Sequence, residues 1–197
     1  ETRHCLDSIR AILRVPHKTV LLDNGSCSDW AWDLFKEGLC DTLITKRESL
    51  GGGVGQTDLF RWVDTPYTLF VQQDQVLAHE INDGAFDWML GKLANGYKAV
   101  DLAGDQGHGA WSDRAHLIST DFFNSLSPFP NGGPGRDEVR WNENYLQEVF
   151  RRPENKIFHV QEPLFFRDAG VWSVRKVNDG IVRMRTDTKQ VWWEKLP

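Results

Sequence analysis

The spacing of hydrophobic positions changes along the chain, and the change separates helices from strands. Leu6, Ile9 and Leu13 recur at three and four residues, with Arg3, Asp7 and Arg10 between them. That period predicts an amphipathic helix over Thr2–Leu13, ended by Pro16. Thr19–Leu22 is a short apolar run, hence a buried strand, and it stops at Asp23-Asn24-Gly25-Ser26. Ser28 or Asp29 can cap a second helix to about Lys36, and Thr42–Thr45 reads as a second strand. A glycine run, Gly51-Gly52-Gly53-Val54-Gly55, precedes a helix to about Val63. Tyr67–Gln72 is a third strand, Ile81–Ala94 a helix stopped by Asn95-Gly96, and Ala99–Ala103 a fourth strand.

Strands alternating with helices at this interval predict a mostly parallel sheet with helices on both faces, an α/β domain. Such sheets bind ligands beyond the carboxyl ends of their strands, where Asp23, Asp74 and Asp105 fall. The second half is less regular. Asp105–Asp113 is a Gly/His-rich loop, Ala115–Ser119 a strand, and Pro128–Gly135 a turn segment. Glu143–Phe150 is a short helix and Lys156–Val160 a strand. From Val174 to Trp193 alternating stretches flank Asn178-Asp179-Gly180, a hairpin turn. We find no repeat, low-complexity tract or linker, so 1–197 reads as a single domain. The chain opens on Glu1 inside a helix pattern, which suggests that further chain precedes it.

Composition narrows the partners. With 40% hydrophobic and 26% charged residues the chain can bury a core. Lys+Arg of 23 against Asp+Glu of 28 leaves a net charge of −5, which argues against nucleic acid as a bulk partner. No apolar run approaches the roughly 20 residues of a membrane span, and no signal peptide is visible. The 3 cysteines, Cys5, Cys27 and Cys40, form no Cys-x-x-Cys pair. That count fits a reducing compartment and a cytoplasmic location, with peripheral membrane association open. The 9 tryptophans suit stacking on sugar rings as well as filling a core.

Three segments carry candidate chemistry. Asp74 ends an apolar strand, where its carboxylate can hold a divalent cation, and Gln72 offers a neutral oxygen two residues earlier. Asp23 begins a tight turn at the ligand edge and can accept hydrogen bonds from a base or ribose. The run Leu50–Gln56 lets backbone approach a ligand closely, but it is followed by no Gly-Lys-Ser/Thr and fits no dinucleotide-binding fingerprint.

In order, strand–Asp-Asn-Gly-Ser, then Leu-Gly-Gly-Gly-x-Gly about 25 residues on, then strand–Gln-x-Asp, the three resemble the inverting family 2 glycosyltransferases of the GT-A fold. The resemblance is clear over residues 2–103 and looser to about 160. It implies a Rossmann-like sheet whose first strand would lie upstream of Glu1, a nucleotide-sugar half over 1–105, and an acceptor half with the terminal hairpin over 106–197. It implies that Asp23 meets the base, with Asn24, Ser26, Arg47, Gly51, Gly52, Gln56 and Gln73 around the nucleotide. Asp74 would bind Mn²⁺ or Mg²⁺ bridging the diphosphate, and His159 would be a further metal ligand or phosphate contact. Ser49 and Gln72 depart from the family pattern, which often has Asn at the first place and an acid at the second.

An inverting transferase also needs a general base for the acceptor hydroxyl. The resembled family places it at a Glu-Asp-x-x-Leu helix start, and lining that up on Leu146 implies Glu143, with Asp137 and Glu138 as rivals; Asn144 cannot act as a base. Asp105, Trp111 and Trp141 would line the acceptor side, and the acceptor would be a glycan or lipid-linked sugar, as in polysaccharide biosynthesis. A sugar nucleotidyltransferase and a non-catalytic nucleotide- or glycan-binding domain are the alternatives, the latter favoured by Gln72.

Overall fold

A computed structural model of the chain describes residues 2–26, 28–49, 51–104, 111, 114–129, 138–161, 164–168, 172–177, 180–185 and 190–195. At 138–143 and from 167 onward the description is of the backbone alone. The architecture is mixed α/β, with short strands in four small sheets.

Helix α1 (Thr2–Ile12) buries Cys5, Leu6 and Ile9, the stripe set by the heptad-like spacing. Strand β1 (Val20–Asp23) pairs in parallel with β2 (Thr42–Thr45), and α2 (Trp30–Lys36) makes the crossover. Asp29 stands at the N-cap of α2 without a side-chain capping bond. Helix α3 (Gly51–Phe60) leads to β3 (Tyr67–Phe70), followed by β4 (Gln75–Leu77) and α4 (Asp83–Ala94). The Asn82 side chain caps α4, accepting from the Ala85 N–H at 3.0 Å. This cap starts the helix two residues later than the periodicity predicts, because Ile81 bridges to Leu13 instead.

Then come β5 (Ala99–Asp101), β6 (His116–Ser119), α5 (Thr120–Ser125), α6 (Glu138–Phe150) and β7 (Ile157–His159). Strand β8 (Phe166–Asp168) pairs antiparallel with β4. Strands β9 (Trp172–Val177), β10 (Gly180–Arg185) and β11 (Gln190–Lys195) form an antiparallel sheet; Asn178 and Asp179, where the sequence predicts the turn, lie outside the described residues.

The largest mixed sheet has the order β3-β6-β5-β7. Strands β3, β5 and β7 share one direction, while β6 runs against both neighbours. The expectation of a mostly parallel sheet is corrected here. Among the described residues no helix lies between β5 and β6, and a parallel return needs a longer crossover, usually helical. Two apolar clusters cover the sheet. One gathers α1, α4 and β8 side chains around Val100, Leu117 and Val160. The other gathers Phe60, Phe123, Leu146 and Phe150 around Phe70, Trp111 and Ile118. A third, smaller cluster joins Leu6 of α1 to Leu21 of β1 and Leu34 of α2. No helix among the described residues is long and apolar enough to cross a membrane.

Candidate functional site

The site is built first by the turn after β1. Asp23 is the last residue of β1 and is buried, at 6% exposure. Its Oδ1 accepts the Ser26 N–H at 3.0 Å, a side-chain-to-backbone bond three residues on that fixes the chain's direction as it leaves the sheet. Gly25 sits in the turn at φ +88, and a Cβ there would press into the backbone at Glu48 and Ser49. The turn therefore lies flat on the 48–49 segment. Asn24 extends the same contact: its Nδ2 donates to the Gly51 carbonyl at 3.1 Å.

The glycine run is not a loop before a helix, as its composition predicts, but the opening turns of α3 itself. The run packs closely on β1. A Cβ at Gly55 would meet Asn24 Nδ2 at 3.1 Å and Leu22 Cδ2 at 3.3 Å, so α3 lies close against β1 and those side chains would have to give way to a larger residue. The helix ends at Phe60, whose ring stacks on Phe70 of β3. The structure thus brings Asp23, Asn24, Ser26, Gly51 and Gly52 together at one end of β1, with exposed Arg47 beside them in sequence and half-buried Gln56 one turn along α3. Lys46 pairs with Asp58 at 2.6 Å and anchors the same segment. The hydrogen bond from Lys46 holds the Asp58 carboxyl below its ordinary range.

Asp74 follows β3 in the other sheet, in an exposed turn closed by the Gln75 N–H on the Gln72 carbonyl at 3.2 Å. Gln73 is exposed beside it. Helix α1 ties this turn to β1 through adjacent residues: Cys5 Sγ donates to the Gln72 carbonyl at 3.6 Å, while Leu6 packs with Leu21. Burial first, and the nearby Asp74 charge second, push the Cys5 thiol up to about 11.

Register places a row of side chains across the four-stranded sheet. Phe70, His116, Asp101 and His159 stand opposite one another in β3, β6, β5 and β7. Asp101 and His159 are the last residues of like-directed strands. Asp101 is 1% exposed, yet its carboxylate is satisfied on both oxygens. Oδ1 accepts the Ala103 N–H at 2.9 Å, and Oδ2 lies 2.8 Å from His159 Nδ1. Burial alone would raise this carboxyl, but the His159 hydrogen bond, the His116 ring and the Ala103 N–H together hold it below the usual carboxylate range. His116 is fully buried, and burial lowers its affinity for a proton. Its Nδ1 lies 2.7 Å from the Arg114 carbonyl, an acceptor only, so Nδ1 carries the hydrogen. Its Nε2 is buried without a partner among the described residues, as are both polar atoms of the Gln75 side chain.

Other sequence candidates fall elsewhere. Trp111 is completely buried, stacked on His116 at 4.2 Å and on Phe150 at 5.2 Å between ring centroids. It is a core residue, not a platform open to an acceptor sugar, because the second aromatic cluster closes around it. Glu143 lies on α6, which begins five residues earlier than the sequence predicts, so it is not in the helix's first turn. The side chains of Glu143, Trp141 and the rival base Glu138 lie outside the described residues, as do Asp105 and Asp137 altogether. Sequence reading missed Asp101 and Gln75. The signal was present for Asp101: one carboxylate within the apolar run Ala99–Ala103 must find a partner when the strand is buried. No protein-family model matches the chain, and no curated protein matches it.

Proposed function

We propose that this chain is a GT-A-type inverting glycosyltransferase domain that moves a sugar from a nucleotide-diphosphate sugar to a hydroxyl of a glycan or lipid-linked acceptor. The observation that carries the reading is the common edge of β3, β5 and β7. These like-directed strands lead into Gln72–Asp74, Asp101 and His159 at one end. The turn at Asp23–Ser26, packed on Glu48–Ser49 and Gly51, supports it with a polar shelf of short side chains and backbone suited to a base and ribose.

Asp74 and His159 have the donor chemistry for a divalent cation, while no group of three or more His, Cys, Asp or Glu side chains gathers to hold one among the described residues. Asp74 offers an exposed carboxylate, and His159 is backed by a buried carboxylate, the support that metal-binding histidines commonly have. Asp74 and His159 would hold Mn²⁺ or Mg²⁺, which when bound neutralises the diphosphate that departs. Glu143 takes the acceptor's hydroxyl proton. The acceptor oxygen then bonds to the anomeric carbon from the face opposite the leaving group. The bond from that carbon to the phosphate oxygen breaks, and its electron pair leaves with the nucleoside diphosphate. Asp105 and Trp141 serve the acceptor side, and the location is cytoplasmic.

Incubating the chain with a panel of nucleotide-sugars and Mn²⁺, and assaying release of nucleoside diphosphate with and without sugar acceptors, tests the proposal. Wild type should turn over one donor and Asp74→Ala none. A chain that binds a diphosphate equally well with and without metal, and turns over no donor, is the non-catalytic binding domain that Gln72 favours.

A further inference from the structure

We propose that the pole of the molecule where β5 and β7 begin is a docking surface for an anionic lipid membrane. Five cations gather there: Lys92 in the last turn of α4, Lys98 just before β5, Arg151 and Arg152 just after α6, and Lys156 just before β7. Backbone and ring contacts hold them on one surface. The Lys98 N–H donates to the Lys156 carbonyl at 2.8 Å. Lys92 Nζ lies 4.3 Å from the centre of the Phe158 ring and 5.1 Å from that of Trp88. Tyr97 packs on the same Phe158, at 5.4 Å between centroids. Lys98 Nζ lies over Phe122 at 5.6 Å, and Phe122 meets Phe150, the residue before Arg151, at 5.9 Å between centroids.

The charge of this surface is uncompensated. Lys18, Lys36 and Lys46 form ion pairs with carboxylates elsewhere, whereas none of the five does so among the described residues. Glu154 is the one carboxylate within 88–98 and 151–158, with Asp87 and Glu148 earlier on α4 and α6. On a chain of net charge −5, such a pole turns the molecule toward an anionic surface. The aromatic residues suit a bilayer. Trp88 is 41% exposed and Tyr97 half-buried, and rings of this kind sit at the level of lipid headgroups. Lysine stems can lie along such rings while the ammonium reaches a phosphate. Single-stranded nucleic acid also seeks cations and rings, but its bases need ring faces to stack on. Here Lys92 already sits over Trp88 and Phe158, and Lys98 over Phe122, so the contacts favour lipid. Asp101 and His159 end the same two strands, so the docking pole is not the edge that carries the candidate site. The inference stands independently of the glycosyltransferase reading.

Co-sedimentation of the intact chain with vesicles tests this. Vesicles of phosphatidylcholine alone are compared with vesicles that also hold about 30 mol% phosphatidylserine. Wild type should pellet with the anionic vesicles and not with the neutral ones, and added salt should release it. Arg151, Arg152 and Lys156 are exposed, so replacing them leaves the core intact, as circular dichroism would show. At about fivefold per cation, the triple variant Arg151→Ala, Arg152→Ala, Lys156→Ala should bind about 100-fold more weakly. Arg10 is an exposed cation of α1 that forms no ion pair among the described residues, and Arg10→Ala should bind like wild type. Wild type that stays in solution beside anionic vesicles would overturn the proposal, and that result needs no variant to fold. So would equal binding to both kinds of vesicle, a triple variant that binds like wild type, or an equal loss in Arg10→Ala. A labelled single-stranded oligonucleotide completes the set. If wild type binds it, the triple variant does not, and neither binds vesicles, the pole belongs to nucleic acid and the lipid proposal falls.

Discussion

Replacing Gly25 with alanine should damage both stability and the nucleotide shelf, and the structure separates the two causes of the damage. The first is backbone strain: Gly25 holds φ +88, a conformation that costs a side-chain-bearing residue about 1–2 kcal/mol. The second is contact. An added Cβ would lie 2.9 Å from Glu48 Cα and closer still to Glu48 C and Ser49 N, against the roughly 3.5–4.0 Å that carbon atoms prefer. These are backbone atoms, so the whole 48–49 segment must yield, at about 1–3 kcal/mol more. Gly38 is the internal control. It has φ +71 but nothing within 4 Å of the added atom, so Gly38→Ala should show the strain alone. Urea denaturation of both variants measures the difference. Gly25→Ala should lose about 2–5 kcal/mol and Gly38→Ala about 1–2, and at roughly 2–4 °C per kcal/mol the gap should also appear in Tm. Equal losses in the two variants would refute the close packing of the turn on Glu48–Ser49, and with it the account of how Asp23 is held.

Trp111→Ala should cost about 3–5 kcal/mol as a large buried aromatic is deleted, without the selective rise in acceptor KM that a sugar platform would give; thermal denaturation and acceptor kinetics separate the two. The raised Cys5 thiol gives a pH dependence of definite sign. Its folded value is about 11 against an ordinary 9.0, so the unfolded chain ionises first as pH rises. The stability it contributes is whole below about pH 8.5 and is lost by about pH 11, to the extent of about 2–3 kcal/mol. Denaturation at pH 8 and pH 10.5 should show a smaller alkaline loss in Cys5→Ala than in wild type. Glu143→Gln should keep donor binding and lose transfer, measured by calorimetry and by product formation; near-normal transfer would remove Glu143 as the base.

The elements with a clear period were legible in the sequence. Strand β2 falls where the Thr42–Thr45 run puts it, and α1 differs from its periodic stripe by one residue. What the pattern could not supply was set by distant partners. Strands β4 and β8 are three residues each and exist because they pair with each other across the chain, so no local signal marks them. The glycine run looks like a loop by composition, and its close approach to Leu22 and Asn24 at Gly55 appears only once α3 is seen against β1. The site divides in the same way. Asp23 and Asp74 were visible as polar residues ending apolar strands, and both lie at turns after β1 and β3. Asp101 looked like a strand interior, because its purpose appears only when β7 brings His159 beside it. Trp111 misled for the same reason: a tryptophan in a glycine-rich stretch reads as exposed until His116 and Phe150 are seen against it.

The central claim is a metal-dependent nucleotide-diphosphate site that takes in Asp23 and Asp74, and a ligand panel tests it most directly. Thermal melts of the chain with UDP, GDP, dTDP, CDP and CMP, each with and without Mn²⁺, report affinity through mass action, about 2.7 kcal/mol at one hundred times Kd. The account predicts that one diphosphate raises Tm only when Mn²⁺ is present, and that Asp74→Asn abolishes the rise. Melts unchanged by every nucleotide, or a rise that ignores both the metal and Asp74, would contradict it.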